Sequence, residues 1–248
     1  TAVIPLSKTP ADAEPLTGFR RFFHESVLTL KLGIPVVIAQ ILLISMQFVD
    51  TVMAGHVSAG DLAALGIATA LFHPLLLLMV GVLMAVTPMV AQLKGSQKDH
   101  LISKVVADAL QLSLVFALPL IILLHLLEPL MEFIGYPEEV CRIGDGYLQA
   151  VAWGVPAMLA YDVFRHFNEG VALTRPNMYF HIVGLMLNIL GNYTLMFGHF
   201  GFPAMGAVGA GWSTALVWNM MFLMMILFSF NNSRLRKYLK LGDFFHIH

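Results

Sequence analysis

Apolar residues in this chain fall in long blocks rather than in alternation with polar ones. Scanned against the ~20 residues that a bilayer-crossing helix requires, the sequence yields six blocks: 34–55, 62–90, 105–127, 147–165, 178–198 and 207–230. The pattern predicts an all-α, polytopic membrane protein. Pro35, Pro74, Pro88, Pro119 and Pro156 fall inside the blocks, which lipid-embedded helices tolerate when neighbours satisfy the freed backbone groups.

Composition agrees, because only 12% of the 248 residues are charged and 58% are hydrophobic. A soluble domain of this length would carry roughly twice as much charge. The net charge of −1 gives no reason to expect a nucleic-acid partner. The distribution of positive charge says more. With the N-terminus inside, every Lys and Arg except Arg142 falls in an inside segment. Asp61, Glu128, Glu132, Glu138, Glu139 and Asp145 lie with Arg142 outside. The positive-inside rule then puts both termini in the cytoplasm, as an even number of crossings also requires. Cys141 stands alone and permits no internal disulfide.

Residues 1–24, with Pro5, Pro10 and Pro15 and no apolar core of signal-peptide length, read as a polar leader rather than a cleaved signal. The expected organisation is a cytoplasmic leader over 1–33, a six-helix membrane unit over 34–230 and a cytoplasmic segment over 231–248. The last of these, "NNSRLRKYLKLGDFFHIH", is basic and amphipathic, suited to a connector or to a stop-transfer tail.

Polar residues can then be sorted by depth. Asp108 and Asp162 each lie three residues from the expected cytoplasmic end of their blocks, within reach of interfacial water. Asp50, in "ISMQFVDTVMAG", is deeper: it follows Ile34 by sixteen residues, about 24 Å of helix, in the outer third. An ionised Asp at a helix centre costs ~3 kcal/mol, less toward the interface. Such a group faces a bundle interior or a water cavity, unless the helix ends early and the acid is interfacial. Gln40, Gln47 and Thr51 fall on one line of the first helix with Asp50 on its flank. His181, Asn188 and Asn192, seven and four residues apart, share a face of the fifth, and Asn192 reaches the depth of Asp50. These stripes suit either a polar site or interhelical hydrogen-bond glue worth ~0.6–2 kcal/mol per contact.

Other constellations are weaker. His73, His125, His181 and His199 lack metal-ligand spacing and read as packing residues. "HFNEG" at 166–170 has His and Glu three apart, as a di-metal helix would, but no second copy. "GAVGAGWSTA" at 206–215 puts a serine near glycines without nucleophile-elbow spacing. Its small residues fit close packing of the sixth helix, with Trp212 and Trp218 as packing residues or interface anchors. No set of groups assembles an enzyme, so none is expected.

"GIPVVIAQILLISMQFVDTVMAGHVSAGDLAALGIA" over 33–68 resembles the first helix and following loop of the multidrug and toxic compound extrusion (MATE) transporters, in their NorM-like branch. "FNEGVALTRPNM", "LNILGNYTLMFGHFGFPAMGAVGAGWSTA" and "SRLRKY" continue the match in order, over nearly the whole chain after the leader. The resemblance implies twelve helices in two pseudo-symmetric six-helix lobes in a bacterial inner (plasma) membrane. It also implies export of small cationic or amphipathic drugs in exchange for H⁺ or Na⁺, with no other cofactor. Six blocks correspond to the N-terminal lobe and connector. The C-terminal lobe would then come from a longer chain or, in a half-length transporter, from a partner chain.

Position by position, Asp50 matches the family's first-helix acid, which binds the coupling cation. Asn188 and Asn192 match the fifth-helix polar pair, the second of which is a carboxylate in some relatives. These three would be the metal ligands if the ion is sodium. Thr214 and Tyr147 match a sixth-helix threonine and a fourth-helix tyrosine near the same cavity, beside Gln40, Gln47, Thr51 and His181. Desolvation favours the neutral form of such a carboxylate, and the 15 Met and 18 Phe offer a polarisable drug surface. A flippase for lipid-linked oligosaccharides, of the same superfamily, is an alternative, but no block has a Lys or Arg away from its ends. A non-transporting membrane scaffold is another.

Overall fold

The computed structural model describes residues 18–239. Among them every regular element is helical: α1 Gly18–Val57, α2 Ala59–Leu83, α3 Val86–Gly95, α4 Ile102–His125, α5 Leu127–Ile134, α6 Glu138–Ala152, α7 Val155–Gly170, α8 Arg175–Leu195, α9 Ala207–Asn231 and α10 Ser233–Arg236. The chain passes up and down the bundle six times. The second pass is α2 with α3, the third α4 with the short α5, and the fourth α6 with α7. Four passes are long and apolar enough to cross a membrane on those grounds alone: His24–Val57, Ala59–Gly95, Asp99–Ile134 and Ala207–Asn231. The other two are more polar for a visible reason. Helix α7 is buried along nearly its whole length, and α8 turns His181, Gly184, Asn188 and Asn192 into the bundle.

The helices differ in extent from the expected blocks at three places. First, α1 starts at Gly18, well inside the segment expected to be a leader. Its 40 residues make a rod of about 60 Å, twice the ~30 Å hydrocarbon core. Residues 1–17 and 240–248 of the expected leader and connector lie outside the described residues.

Second, the block at 62–90 is broken at Met84 and Ala85. Pro88 lacks the N–H that would bond the carbonyl four residues back, and its ring crowds that carbonyl. That carbonyl is Met84 O, which takes the Thr87 N–H at 3.2 Å instead. Third, the block at 147–165 belongs to a pass running from Glu138 to Gly170, broken at Trp153–Gly154. Pro156 has the same effect on the carbonyl of Ala152.

The bundle is pinned at both ends. At one, the Ser58 hydroxyl caps α2 by accepting the Asp61 N–H at 2.9 Å and donates to Asp61 Oδ2 at 2.6 Å. The other oxygen, Asp61 Oδ1, accepts the Ala207 N–H at 2.6 Å in the first turn of α9. One carboxylate thus ties two helix N-termini, where the helix dipoles favour negative charge. Asp61→Ala is expected to cost about 2 kcal/mol, read as a lower unfolding midpoint in detergent. An unchanged midpoint would show that the tie is dispensable. At the opposite end Lys94 Nζ donates to Val171 O at 2.6 Å, clamping α3 to the end of α7.

Helix α9 is the packing axis, with α6, α7 and α8 against it. Small residues allow this, as the run at 206–215 predicts. A Cβ on Gly209 would stand 2.6 Å from the backbone C and O of Leu195, and one on Gly211 2.7 Å from Tyr147 O. Tyr161, Phe164 and Phe167 of α7 complete the core, Tyr161 meeting Trp218 edge-on at 5.6 Å between ring centroids.

Candidate functional site

Helix α1 packs chiefly along α8, and this places Asp50 against two amides distant in sequence. Asp50 Oδ1 accepts Nδ2–H bonds from Asn188 at 2.9 Å and Asn192 at 2.5 Å. The two asparagines are one helical turn apart, so a single carboxylate oxygen can take both. Asp50 is 8% exposed and both asparagines are fully buried. Ser213 of α9 donates to the Asn188 carbonyl at 3.3 Å and holds that turn of α8.

Thr214 and Tyr147 stand beside the carboxylate, from α9 and α6. The Thr214 hydroxyl makes no hydrogen bond of good geometry among the described residues, nor do Asn188 Oδ1 and Asn192 Oδ1, although all three oxygens are buried. A buried acceptor left unpaired costs ~1–3 kcal/mol. The two amide oxygens are on the far side of their groups from Asp50, since each amide turns its Nδ2 toward the carboxylate.

Asp50 opens onto a cavity of about 490 Å³ between α1, α2, α6, α7, α8 and α9. Gln40, Gln47, Thr51, Tyr147, His181 and Thr214 line this cavity. Asn188 and Asn192 do not reach it and hold Asp50 from behind. The apolar wall includes Met46, Phe72, Met158 and Trp218. Most other Met and Phe residues pack in the core or face outward.

Three titratable lining residues were not expected. His73, read as a packing residue, lines the cavity and pairs with Gln47 at 2.7 Å. Asp162, read as interfacial, lines it too, because α7 runs on to Gly170 and leaves the acid two turns from the helix end. Arg165 Nε donates to Asp162 Oδ1 at 2.8 Å, and Arg165 Nη1 is 3.6 Å from Glu169 Oε1. The signal for this cluster was present in the sequence as acid, base and acid at i, i+3 and i+7 of one helix. "HFNEG" belongs to it: His166 Nδ1 is 3.4 Å from Glu169 Oε2, and among the described residues no His, Cys, Asp or Glu group is arranged to hold a metal. Nearby, Asn177 Nδ2 donates to Arg165 O at 3.2 Å, and His181 Nδ1 donates to Asn177 O at 2.8 Å. Asp108 is exposed, as an interfacial acid should be.

The family model described as MatE matches residues 35–194, which hold Asp50, Asn188 and Asn192. The chain belongs to the MatE family. It is 42% identical over 214 residues to the multidrug resistance protein NorM of Photobacterium profundum, covering 86% of this chain and 47% of that protein. The NorM of Vibrio cholerae serotype O1 is 38% identical over 226 residues, covering 91% of this chain and 49% of that protein. The chain spans about half the length of the curated relatives it matches. Among solved structures, an outward-facing MATE transporter of the MOP superfamily superposes with a TM-score of 0.78 at 20% identity, over 89% of this chain and 48% of that one. The eukaryotic MATE transporter AtDTX14 superposes at 0.81 and 16% identity, over 90% of this chain and 51% of that one. The fold is one six-helix lobe of a MATE transporter.

Proposed function

We propose that this lobe serves a multidrug antiporter that exports organic cations in exchange for H⁺ or Na⁺, with Asp50 binding the coupling ion. The observation that carries this reading is the carboxylate itself, buried, held by two amides and open to a cavity. Its amide donors share Oδ1, which leaves Oδ2 to take a proton. A sodium ion would instead draw on Asp50 and Thr214, and on Asn188 and Asn192 once their amides turn their oxygens toward it.

Arrival of the ion neutralises Asp50 and removes the charge that retains a cationic drug. Drug and ion then compete for one negative charge, which makes the exchange obligatory. With both termini cytoplasmic in a bacterial plasma membrane, as the charge distribution favours, Asp50 lies seven residues from the outer end of α1, about 10 Å. Residues 1–33 would be cytoplasmic and residues 231–248 would lead toward the second lobe.

The flippase alternative asks for a cationic cavity. Contrary to expectation, one Arg does line a pass away from its ends. Asp162 and Glu169 flank Arg165 on the same helix, so it offers an anionic lipid head group little uncompensated charge.

The test is ethidium transport by the full-length protein in proteoliposomes under an imposed proton gradient or sodium gradient, each alone. One of the two is expected to drive uptake into inverted vesicles. Failure of both would sink the antiport reading.

A further inference from the structure

His73 takes no part in the exchange described above, yet its surroundings are specific. Its Nδ1 lies 2.9 Å from Thr69 O. A carbonyl only accepts, so Nδ1 carries the hydrogen and the neutral ring leaves Nε2 bare. Gln47 Nε2–H donates to that bare nitrogen at 2.7 Å and joins α1 to α2 inside the cavity. On the same turn of α1 the Thr51 hydroxyl, next to Asp50 in sequence, donates to Gln47 O at 2.9 Å.

We propose that His73 is a second proton-binding site of the cavity, whose protonation turns the Gln47 amide and weakens the binding of organic cations. This rests on the antiporter reading, since it assigns a ligand-selecting role within that cavity. A proton arriving at Nε2 converts an acceptor into a donor that faces the Gln47 N–H. Gln47 must then rotate to present its Oε1, or the link between α1 and α2 breaks.

The charges around the cavity set the direction of the effect. The titratable and charged lining groups are Asp50 on α1, Tyr147 on α6, Asp162 and Arg165 on α7, and His181 on α8. Among the described residues α4 and α9 contribute none. Asp162 is engaged by Arg165 at 2.8 Å. Asp50 is therefore the carboxylate left to answer a new positive charge. A protonated His73 and an organic cation would compete for it, so acid lowers cation affinity.

The experiment measures tetraphenylphosphonium binding to the full-length protein in nanodiscs, for wild type and His73→Gln. The Gln carbonyl reaches the position of the imidazole Nε2 and can still accept from Gln47, so the link between α1 and α2 survives without the titratable group. Between about pH 8 and about pH 5.5 cation affinity is expected to fall roughly tenfold further in wild type than in His73→Gln, since each proton linked to release steepens the profile by up to one unit of log Kd per pH unit. Superimposable profiles, with cation binding intact in both proteins, would overturn the role of His73 alone. Absence of binding to wild type at every pH would overturn the antiporter reading and this inference with it.

Discussion

Asp50→Asn in the full-length protein is expected to reduce gradient-driven drug efflux by about 100-fold or more, to near the level of empty vesicles, while the protein still folds and inserts. The substitution keeps size and shape but removes the charge for which ion and drug compete. An energetic loss of about 3 kcal/mol corresponds to a factor of roughly 100 in rate. Folding is spared because the new amide oxygen can still accept a bond from Asn188 or Asn192, which now donate at 2.9 and 2.5 Å. The measurement is ethidium efflux from proteoliposomes under whichever gradient drives wild type, with reconstituted protein quantified in parallel. Wild-type rates in well-incorporated Asp50→Asn protein would falsify the coupling role. Low rates with poor incorporation would be traced through Asn188→Ala, which leaves the carboxylate in place with one amide donor and is expected to slow transport less.

Gly209→Val is expected to abolish stable folding. The atoms a Cβ would meet there are the backbone C and O of Leu195 and the backbone N of Met196, at 2.6 to 2.8 Å. Flexible side chains can move aside, but backbone at the end of α8 can do so only by separating α8 from α9. Overpacking of this kind costs ~1–3 kcal/mol or more, and here the shift would also displace the turn of α8 that carries Asn192. The readout is the yield of monodisperse protein after solubilisation. Gly33→Ala is the matched control, because nothing lies within 4 Å of a Cβ added there, and its yield should equal wild type. A normal yield for Gly209→Val would mean that α9 does not need this close approach.

Much of this could be read along the chain because the bilayer simplifies the physics. Apolar runs of spanning length must become helices, since no water is present to satisfy a backbone in any other form. The six passes, the depth of Asp50 and its polar neighbours on α1 follow from that single constraint. The small-residue run of α9 likewise announced close packing before any neighbour was known.

Boundaries inside the passes were harder to place. Apolar content is blind to the breaks at Met84 and Trp153, which arise because Pro88 and Pro156 cannot bond the carbonyls of Met84 and Ala152. Those prolines were visible, but lipid-embedded helices often absorb them, as α2 absorbs Pro74 and α4 absorbs Pro119.

What the sequence by itself determined was the class of the protein and the list of polar residues that lipid would not accept. Which of them meet was decided only by tertiary packing. Asp50 and its two asparagines are 138 and 142 residues apart, and helical periodicity orders side chains around one helix without saying which helix comes to face them. The same limit hid Asp162, Arg165 and His73, whose helices had to be assembled before a cavity existed for them to line.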